Sequence, residues 1–489
     1  MANLKSLAKD TVIYGLSSIV GRFLNYLLVP LYTAKISAAS GGYGIITNMY
    51  SYVALLLVIL TFGMETTFFR FVNKEECNPD RVYSTALIAV GSVGLLFVAF
   101  VLGFLGPIAG LMNYAATPQY VAVMAVCVAI DAFQCIPFAY LRYKKRPIKF
   151  ATIKLLFIFM NIILNLVYFV GLPMVKPDMG APDVGYVFYI NLFCTASTTL
   201  LFYRELTGFR WILDRKLLKK MLSYAWPILI LGIAGILNQT ADKILFPYLY
   251  KQGNSIEQLG IYGAASKIAM IMVMITQAFR YAYEPFVFGK AGDKDSRTTY
   301  AAAMKYYLIF TLLAFLVVVG YLDILKYIIG RDYWSGLKVV PIVMSAEIMM
   351  GVYFNLSFWY KLIDKTIWGA YFSGIGCFVL IAVNVIFVPR YGFMACAWAG
   401  IAGYGTAMLL SYFVGQKKYP IAYPLKSISV YVLMTAAFTG LMLCLPADVP
   451  LWGKLGFNTI LIVLFVGHIL YHDLPLASLP VIGKLFRKG

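Results

Sequence analysis

Apolar runs about twenty residues long recur along this chain from one end to the other, and no other feature restricts its fold as strongly. The sequence delimits fourteen of them, at about 10–33, 44–65, 82–105, 118–140, 148–172, 184–203, 222–249, 257–280, 300–321, 338–360, 367–388, 393–414, 427–445 and 453–471. A helix crossing a hydrocarbon core needs about 20 such residues, so each run is long enough to span a bilayer once. Helices suit the task because, in lipid, every backbone N–H and C=O must be satisfied within the segment itself. The prediction is an all-α integral membrane protein with about 14 transmembrane helices. Composition excludes the soluble alternative: 61% of the 489 residues are hydrophobic and 13% charged, with a mean hydropathy of +0.80.

The net charge of +20 does not call for nucleic acid, because the basic residues gather in alternate loops. One set of loops holds Arg142, Lys144, Lys145, Arg146 and Lys149, then Arg204, Arg210, Arg215, Lys216, Lys219 and Lys220, then Lys290, Lys294 and Arg297. The other holds little beyond Lys35, Lys176, Lys251, Lys326, Arg331, Arg390 and Lys454. The positive-inside rule places the basic set in the cytoplasm, with both termini on the same side. Seven cysteines without a CxxC spacing indicate neither a disulfide framework nor a zinc site. The first run contains Arg22 and lacks a small-residue cleavage site, so it is expected to be a retained helix.

The two halves of the chain look alike. LRYKKRPIKFATIKLLFIFMNIILNLVYFV from Leu141 matches YKLIDKTIWGAYFSGIGCFVLIAVNVIFVP from Tyr360 and superposes Asn165 on Asn384. LLVPLYTAKISAASGGYGI matches ILFPYLYKQGNSIEQLGIYG, with Pro30 over Pro247 and Gly44 over Gly260. A nearly constant offset over two separate blocks predicts duplication of a six-helix unit. Because six is even, the copies share one orientation, related by an axis along the membrane normal with a cavity between them. The expected organisation is an N-lobe over 1–205, a cytoplasmic interfacial linker helix over 206–221, a C-lobe over 222–415, and two appended spans with a cytoplasmic tail over 416–489. In the linker, Trp211, Leu213, Leu217 and Leu218 alternate with basic residues, as in a helix lying on a membrane surface; a solvated linker fits the same residues.

Ionisable residues inside the spans are few, and each is a candidate for function. Arg22 and Lys267 fall near mid-span, one in each half, and Asn25 and Tyr26 share the face of Arg22 at i+3 and i+4. Pro30 interrupts the hydrogen-bond ladder near the far end of that helix. Asp242 and Lys243 lie in the seventh run; adjacent side chains leave a helix about 100° apart, so a simple pair between them is not expected. Asp131 and Glu347 fall near the middle of the fourth and tenth runs. A cationic cavity for a diphosphate fits Arg22 and Lys267, since a guanidinium takes phosphate in a bidentate fork and an ammonium as a point charge. Structural ion pairs of these cations with Asp131 or Glu347 are the alternative. The carboxylates are candidates for a coupling H⁺ or Na⁺ site, or for charge balance. Lys154 and Lys305 lie near the ends of their runs, where snorkelling explains them. His468 and His472 stand at i, i+4 without further ligands, so no metal site is predicted.

The opening of the chain adds a resemblance. YGLSSIVGRFLNYLLVPLYT, then YGIITNMYSY, then FGMETTFFRF is similar to the start of the bacterial polysaccharide transport proteins, the Wzx-type lipid-linked oligosaccharide and O-antigen flippases of the MOP superfamily. The order and spacing of Pro-Leu-Tyr-Thr, Tyr-Gly and a later Arg-Phe carry it, and it extends over roughly 1–420. It implies a MOP/MATE-like fold of two six-helix lobes plus two C-terminal helices. It also implies a cavity lined by cations from the first, second, seventh and eighth spans, where Arg22 and Lys267 fall. Glu65 departs from the small residue often found before the family's Arg-Phe.

The function expected from these features is a flippase of the bacterial inner membrane. It would carry an undecaprenyl-diphosphate-linked oligosaccharide across that membrane for surface polysaccharide or O-antigen assembly, by alternating access. Its candidate substrate-binding residues are Arg22, Asn25, Tyr26, Asp242, Lys243 and Lys267, with Asp131 and Glu347 for a coupling ion and no other cofactor. The expected partners are the lipid-linked glycan, membrane lipids and other polysaccharide assembly proteins. A cation-coupled MATE-like drug exporter is the alternative within transport, although mid-span cations disfavour cationic drugs. A membrane glycan polymerase, ligase or glycosyltransferase is the alternative of another class. The longest outer loops, near 173–183 and 322–337, concentrate neither carboxylates nor histidines, which argues against an enzyme.

Overall fold

The computed structural model describes residues 26–74, 78–289, 296–363, 365–446 and 448–473. They are predominantly helical, without a strand among them. Helix α1 (Leu28–Lys35) is the described end of the first predicted span. Thirteen further helices are long and apolar enough to cross a membrane: α2 (Gly42–Val72), α3 (Pro79–Gly103), α4 (Pro118–Tyr143), α5 (Pro147–Val175), α6 (Gly185–Thr207), α7 (Arg215–Leu249), α8 (Ser255–Arg280), α9 (Arg297–Gly320), α10 (Arg331–Leu362), α11 (Ile367–Tyr391), α12 (Phe393–Lys418), α13 (Leu425–Leu443) and α14 (Leu451–His472). Each corresponds to one predicted run.

Local chemistry sets several of the boundaries. Pro79, Pro118 and Pro147 stand at the first helical position of α3, α4 and α5, where no N–H is needed and φ is already helical. The Asn78 side chain caps α3 by accepting from the N–H of Asp80 at 3.0 Å. Helix α2 is interrupted at Phe62–Gly63, both left-handed with φ of 36° and 70°. A side chain on Gly63 would come within 2.9 Å of Ile228 Cγ2, so this break is shaped around α7.

The chain forms two compact units. The first comprises Met1–Ala264 with Asn384–Phe393. In it α2 packs against α4 and α7, α3 against α4, and α6 against α4 and α5. Met64, Phe68, Tyr83, Leu87, Val128 and Ile136 form a fully buried core where α2, α3 and α4 meet. Glu205, at the end of α6, is buried and takes Lys149 Nζ at 2.6 Å and Arg146 Nη1 at 3.6 Å. Glu65 takes Arg142 in an ion pair from α2 to α4, so its departure from the family pattern has a partner.

The second unit comprises Ala265–Val383 with Met394–Gly489. Here α9 packs against α10, α13 and α14. Asn458 of α14 donates to the Gly320 carbonyl at 2.8 Å, and Tyr321 and Thr459 share a 2.8 Å hydrogen bond. Lys305, expected to snorkel, instead forms an ion pair with Asp473, which also accepts from Tyr431. Burial alone would push the Asp473 carboxyl up; the bonds from Lys305 and Tyr431 outweigh it and hold the group below its ordinary value.

The linker corrects an expectation. Residues 208–214 form no helix, and the helix that follows is α7 itself, one continuous element from Arg215. The reason lies on α3. Ser84 Oγ accepts from the Ile212 N–H at 2.6 Å, and Thr85 Oγ1 accepts from the Asp214 N–H at 3.2 Å, so side chains rather than a helical ladder satisfy this backbone. Asp214 then caps α7 by accepting from the Leu217 N–H at 3.0 Å.

Candidate functional site

Helices α2 and α8 approach as closely as backbones allow. A Cβ on Gly44 would lie 1.8 Å from the Ile256 carbonyl oxygen, and one on Gly260 would lie 2.7 Å from the Gly44 nitrogen. Small residues permit such crossings in membranes, where packing drives association. Gly44 and Gly260 are the pair that the repeat superposes.

Beside this crossing, α7 brings its charged pair to α2. Pro247 has no N–H to offer the Lys243 carbonyl one turn back. Asn48 of α2 supplies the missing donor, its Nδ2 reaching that carbonyl at 2.9 Å, while its Oδ1 accepts from the Tyr114 hydroxyl at 2.9 Å. The Lys243 ammonium lies 3.0 Å from both Asp242 carboxylate oxygens and 3.0 Å from the Gln239 carbonyl. This overturns the expectation that neighbours on a helix do not pair. Their Cα–Cβ bonds diverge, but the four-carbon lysine stem folds back along the helix far enough to close the gap. The Tyr262 hydroxyl of α8 donates to Asp242 Oδ2 at 2.8 Å. The pair is largely shielded, with 9% of the Asp242 side chain and 23% of the Lys243 side chain exposed. Tyr52 of α2 and Tyr248 of α7 meet at 2.7 Å. At the far end of the same two helices, Phe71 and Arg70 pack on the Tyr224 ring. The α2–α7 seam is therefore in contact along its length.

Asp131 on α4 lies in a second polar group. Thr195 of α6 donates to its Oδ1 at 3.2 Å. Gln134 donates to the Thr195 carbonyl at 3.0 Å and to Thr199 Oγ1 at 2.7 Å. Asn191 donates to the Tyr50 hydroxyl at 2.9 Å. Asp131 forms no ion pair among the described residues. Lys154 instead lies 4.1 Å over the Phe138 ring.

The remaining candidates are not gathered with these. Arg22 and Asn25 lie outside the described residues. Tyr26 carries a buried hydroxyl with no hydrogen-bond partner among the described residues. Lys267, half-buried on α8, belongs to the second unit, with its ammonium 3.8 Å from Met270 Sδ. Glu347 on α10 is half-buried one turn before Gly351, whose lack of a side chain admits the Tyr307 hydroxyl. That hydroxyl shares a 2.9 Å hydrogen bond with Thr276. Sequence reasoning centred on mid-span charges and their face neighbours missed Asn48, Tyr114 and Tyr262. The signal for Asn48 was present: a proline in an apolar run strands a carbonyl, and a polar residue on a facing run can answer it.

Two further contacts join the ends of spans. Tyr32 of α1 donates to buried Asn165 of α5 at 3.0 Å. The Tyr250 ring, at the end of α7, faces Gly392, at the end of α11, where an added Cβ would be 3.3 Å from it.

These helices define a multi-pass membrane protein with the fold of the MOP superfamily. The lipid II flippase MurJ in an inward closed conformation is similar at 15% identity with a TM-score of 0.71, over 94% of this chain and 99% of that one. A multidrug resistance MATE family transporter of the MOP superfamily, inward-facing, is similar at 15% identity and a TM-score of 0.62, over 86% of this chain and 96% of that one. No curated protein matches the sequence. The family model described as polysaccharide biosynthesis protein matches residues 7–282. The chain belongs to that family.

Proposed function

We propose that the protein is a transporter, not an enzyme, and that it flips an undecaprenyl-diphosphate-linked oligosaccharide across the bacterial inner membrane by alternating access. The observation that carries this reading is membership of a polysaccharide biosynthesis family by a chain whose fold is that of the MOP transporters. Surface polysaccharide of the O-antigen type is the destination that fits. The half-buried lysine at the α2–α7 seam supports an anionic head group. A diphosphate leaving water loses hydration that fixed cations must replace. In this reading Lys243, now held by Asp242, exchanges its carboxylate for the phosphate, and Arg22 and Lys267 bind from the two six-helix lobes at 1–205 and 222–415. Parting α2 from α7 and α8 then breaks the Asn48 and Tyr52 hydrogen bonds and the glycine crossing, which opens the cavity. Asp131 and Glu347 are the proposed sites of a coupling H⁺ or Na⁺. Loop charge supports a cytoplasmic position for both termini.

The test is display of surface glycan in a strain lacking its own flippase, with membrane abundance measured alongside. Arg22→Ala should abolish display at normal abundance, and Lys267→Ala should weaken it. Arg22→Lys should keep part of it, because the charge survives without the bidentate fork. Lys154→Ala should change little. Normal display by the Arg22→Ala, Lys267→Ala double variant would return both residues to a structural role.

A further inference from the structure

The cations at the Val72 end of α2 and the Tyr143 end of α4 include both paired and unpaired groups. Arg142 pairs with Glu65, and Arg146 and Lys149 share the single carboxylate of Glu205. Arg204, Arg210, Arg215, Lys216, Lys219 and Lys220 are exposed and form no ion pair among the described residues. All six lie within seventeen consecutive positions, 204–220. Between them the strap over 208–214 presents Trp211, Ile212 and Leu213, which are 52%, 41% and 42% exposed. This display is held in place. Ser84 and Thr85 fix the strap backbone to α3, the Phe209 ring packs 4.8 Å from that of Tyr83, and the Trp211 indole donates to the Leu206 carbonyl at 3.1 Å.

A segment joining two consecutive spans lies at a membrane boundary whichever way the chain inserts. There, apolar and aromatic side chains beside unpaired cations match one surface: hydrocarbon on one side and anionic headgroups on the other. The chain's own ends do not complement the patch. Residues 474–489 contain Lys484, Arg487 and Lys488 and no carboxylate, and residues 1–25 carry Lys5, Lys9 and Arg22 against Asp10 alone. We propose that residues 204–220 form a binding site for anionic phospholipid. Trp211, Ile212 and Leu213 sit at the acyl boundary, and the six cations take the headgroup phosphates. The inference is independent of the substrate proposed above.

The full chain in maltoside micelles provides the test. Phosphatidylglycerol added at rising mole fraction should raise the thermal midpoint and appear as bound lipid in native mass spectra, whereas phosphatidylcholine should do neither. Each cation near an anionic surface contributes about fivefold in affinity. The variant Arg215→Gln, Lys216→Gln, Lys219→Gln, Lys220→Gln should therefore bind phosphatidylglycerol weaker by on the order of a hundredfold or more. The Trp211→Ala, Ile212→Ser, Leu213→Ser variant should also lose lipid affinity, and Lys417→Gln, Lys418→Gln should keep it. On the unmodified protein, salt near 1 M, where screening acts within about 3 Å, should erase the shift, which keeps the test independent of how any variant folds. Equal binding of phosphatidylcholine, or an unchanged response in the four-glutamine variant, would overturn the proposal. So would reproduction of the shift by inorganic pyrophosphate, which would assign the patch to free phosphate, or by polyglutamate, which would assign it to an acidic polypeptide.

Discussion

The seam where α2 meets α7 in the first unit and the space between α9, α10, α12 and α13 in the second are opposite solutions to a membrane interior. The second is a cavity of about 740 Å³ walled by residues such as Leu308, Ile348, Met349, Trp398 and Val432. Two of its hydroxyls are satisfied within their own helices, Ser345 by the Pro341 carbonyl and Thr435 by that of Tyr431, both at 2.8 Å. The seam instead buries a carboxylate, an ammonium, a stranded carbonyl and a tyrosine hydroxyl, each bonded to another helix or to its neighbour. Apolar walls need only shape. Polar groups at a seam need every partner in place, so a single loss there costs more than a loss in the cavity.

The sharpest way to break that contrast is to remove one member of the buried pair. Asp242→Ala leaves Lys243 shielded without its counter-charge, and breaking a buried pair this way costs about 3–5 kcal/mol. The expected outcome is a steep fall in thermal midpoint and membrane abundance. The Asp242→Leu, Lys243→Met double variant should recover most of that stability, because replacing both charges by apolar groups is often neutral. It should still fail to display glycan. A double variant that transports normally would make the pair purely structural.

Next in size are the hydrogen bonds around the pair. Asn48→Leu strands the Lys243 carbonyl that Pro247 cannot serve, and an unsatisfied buried acceptor costs about 1–3 kcal/mol. Tyr262→Phe removes a donor to Asp242, with an expected loss at the lower end of that range. Both are read as shifts in thermal midpoint in the same micelles. If Asn48→Leu costs no more than a surface change, the carbonyl has found another donor and the seam is less demanding than its geometry implies.

Legibility in the sequence follows the same divide. The thirteen described spans, their order and the all-α class were legible because hydropathy over about twenty residues reports on lipid directly. The glycine crossing was half legible: the repeat aligned Gly44 with Gly260, but that the two touch depends on how the helices cross. The Asp242–Lys243 pair was misjudged because backbone direction was weighed and side-chain reach was not. The extended strap at 208–214 was read as a helix because its alternation of basic and apolar residues suits both conformations. The Ser84 and Thr85 hydroxyls that decide between them lie more than a hundred residues earlier.

The smallest effect should also have the opposite sign. Thr439, on the cavity wall, has a buried hydroxyl with no hydrogen-bond partner among the described residues, unlike Ser345 and Thr435. Val is nearly the same shape as Thr, so Thr439→Val removes an unpaired polar atom without opening or filling space. Burying a hydroxyl without compensation costs about 1–3 kcal/mol on protein scales, so this variant should be neutral to slightly more stable. Removing one hydroxyl would then destabilise at the seam, as in Tyr262→Phe, and not in the cavity. Comparing the thermal midpoints of the two variants in one micelle preparation measures that difference directly. Transport should be unchanged in Thr439→Val. A clear loss of stability would show that the cavity hydroxyl is bonded to lipid or water, and the wall would then be as demanding as the seam.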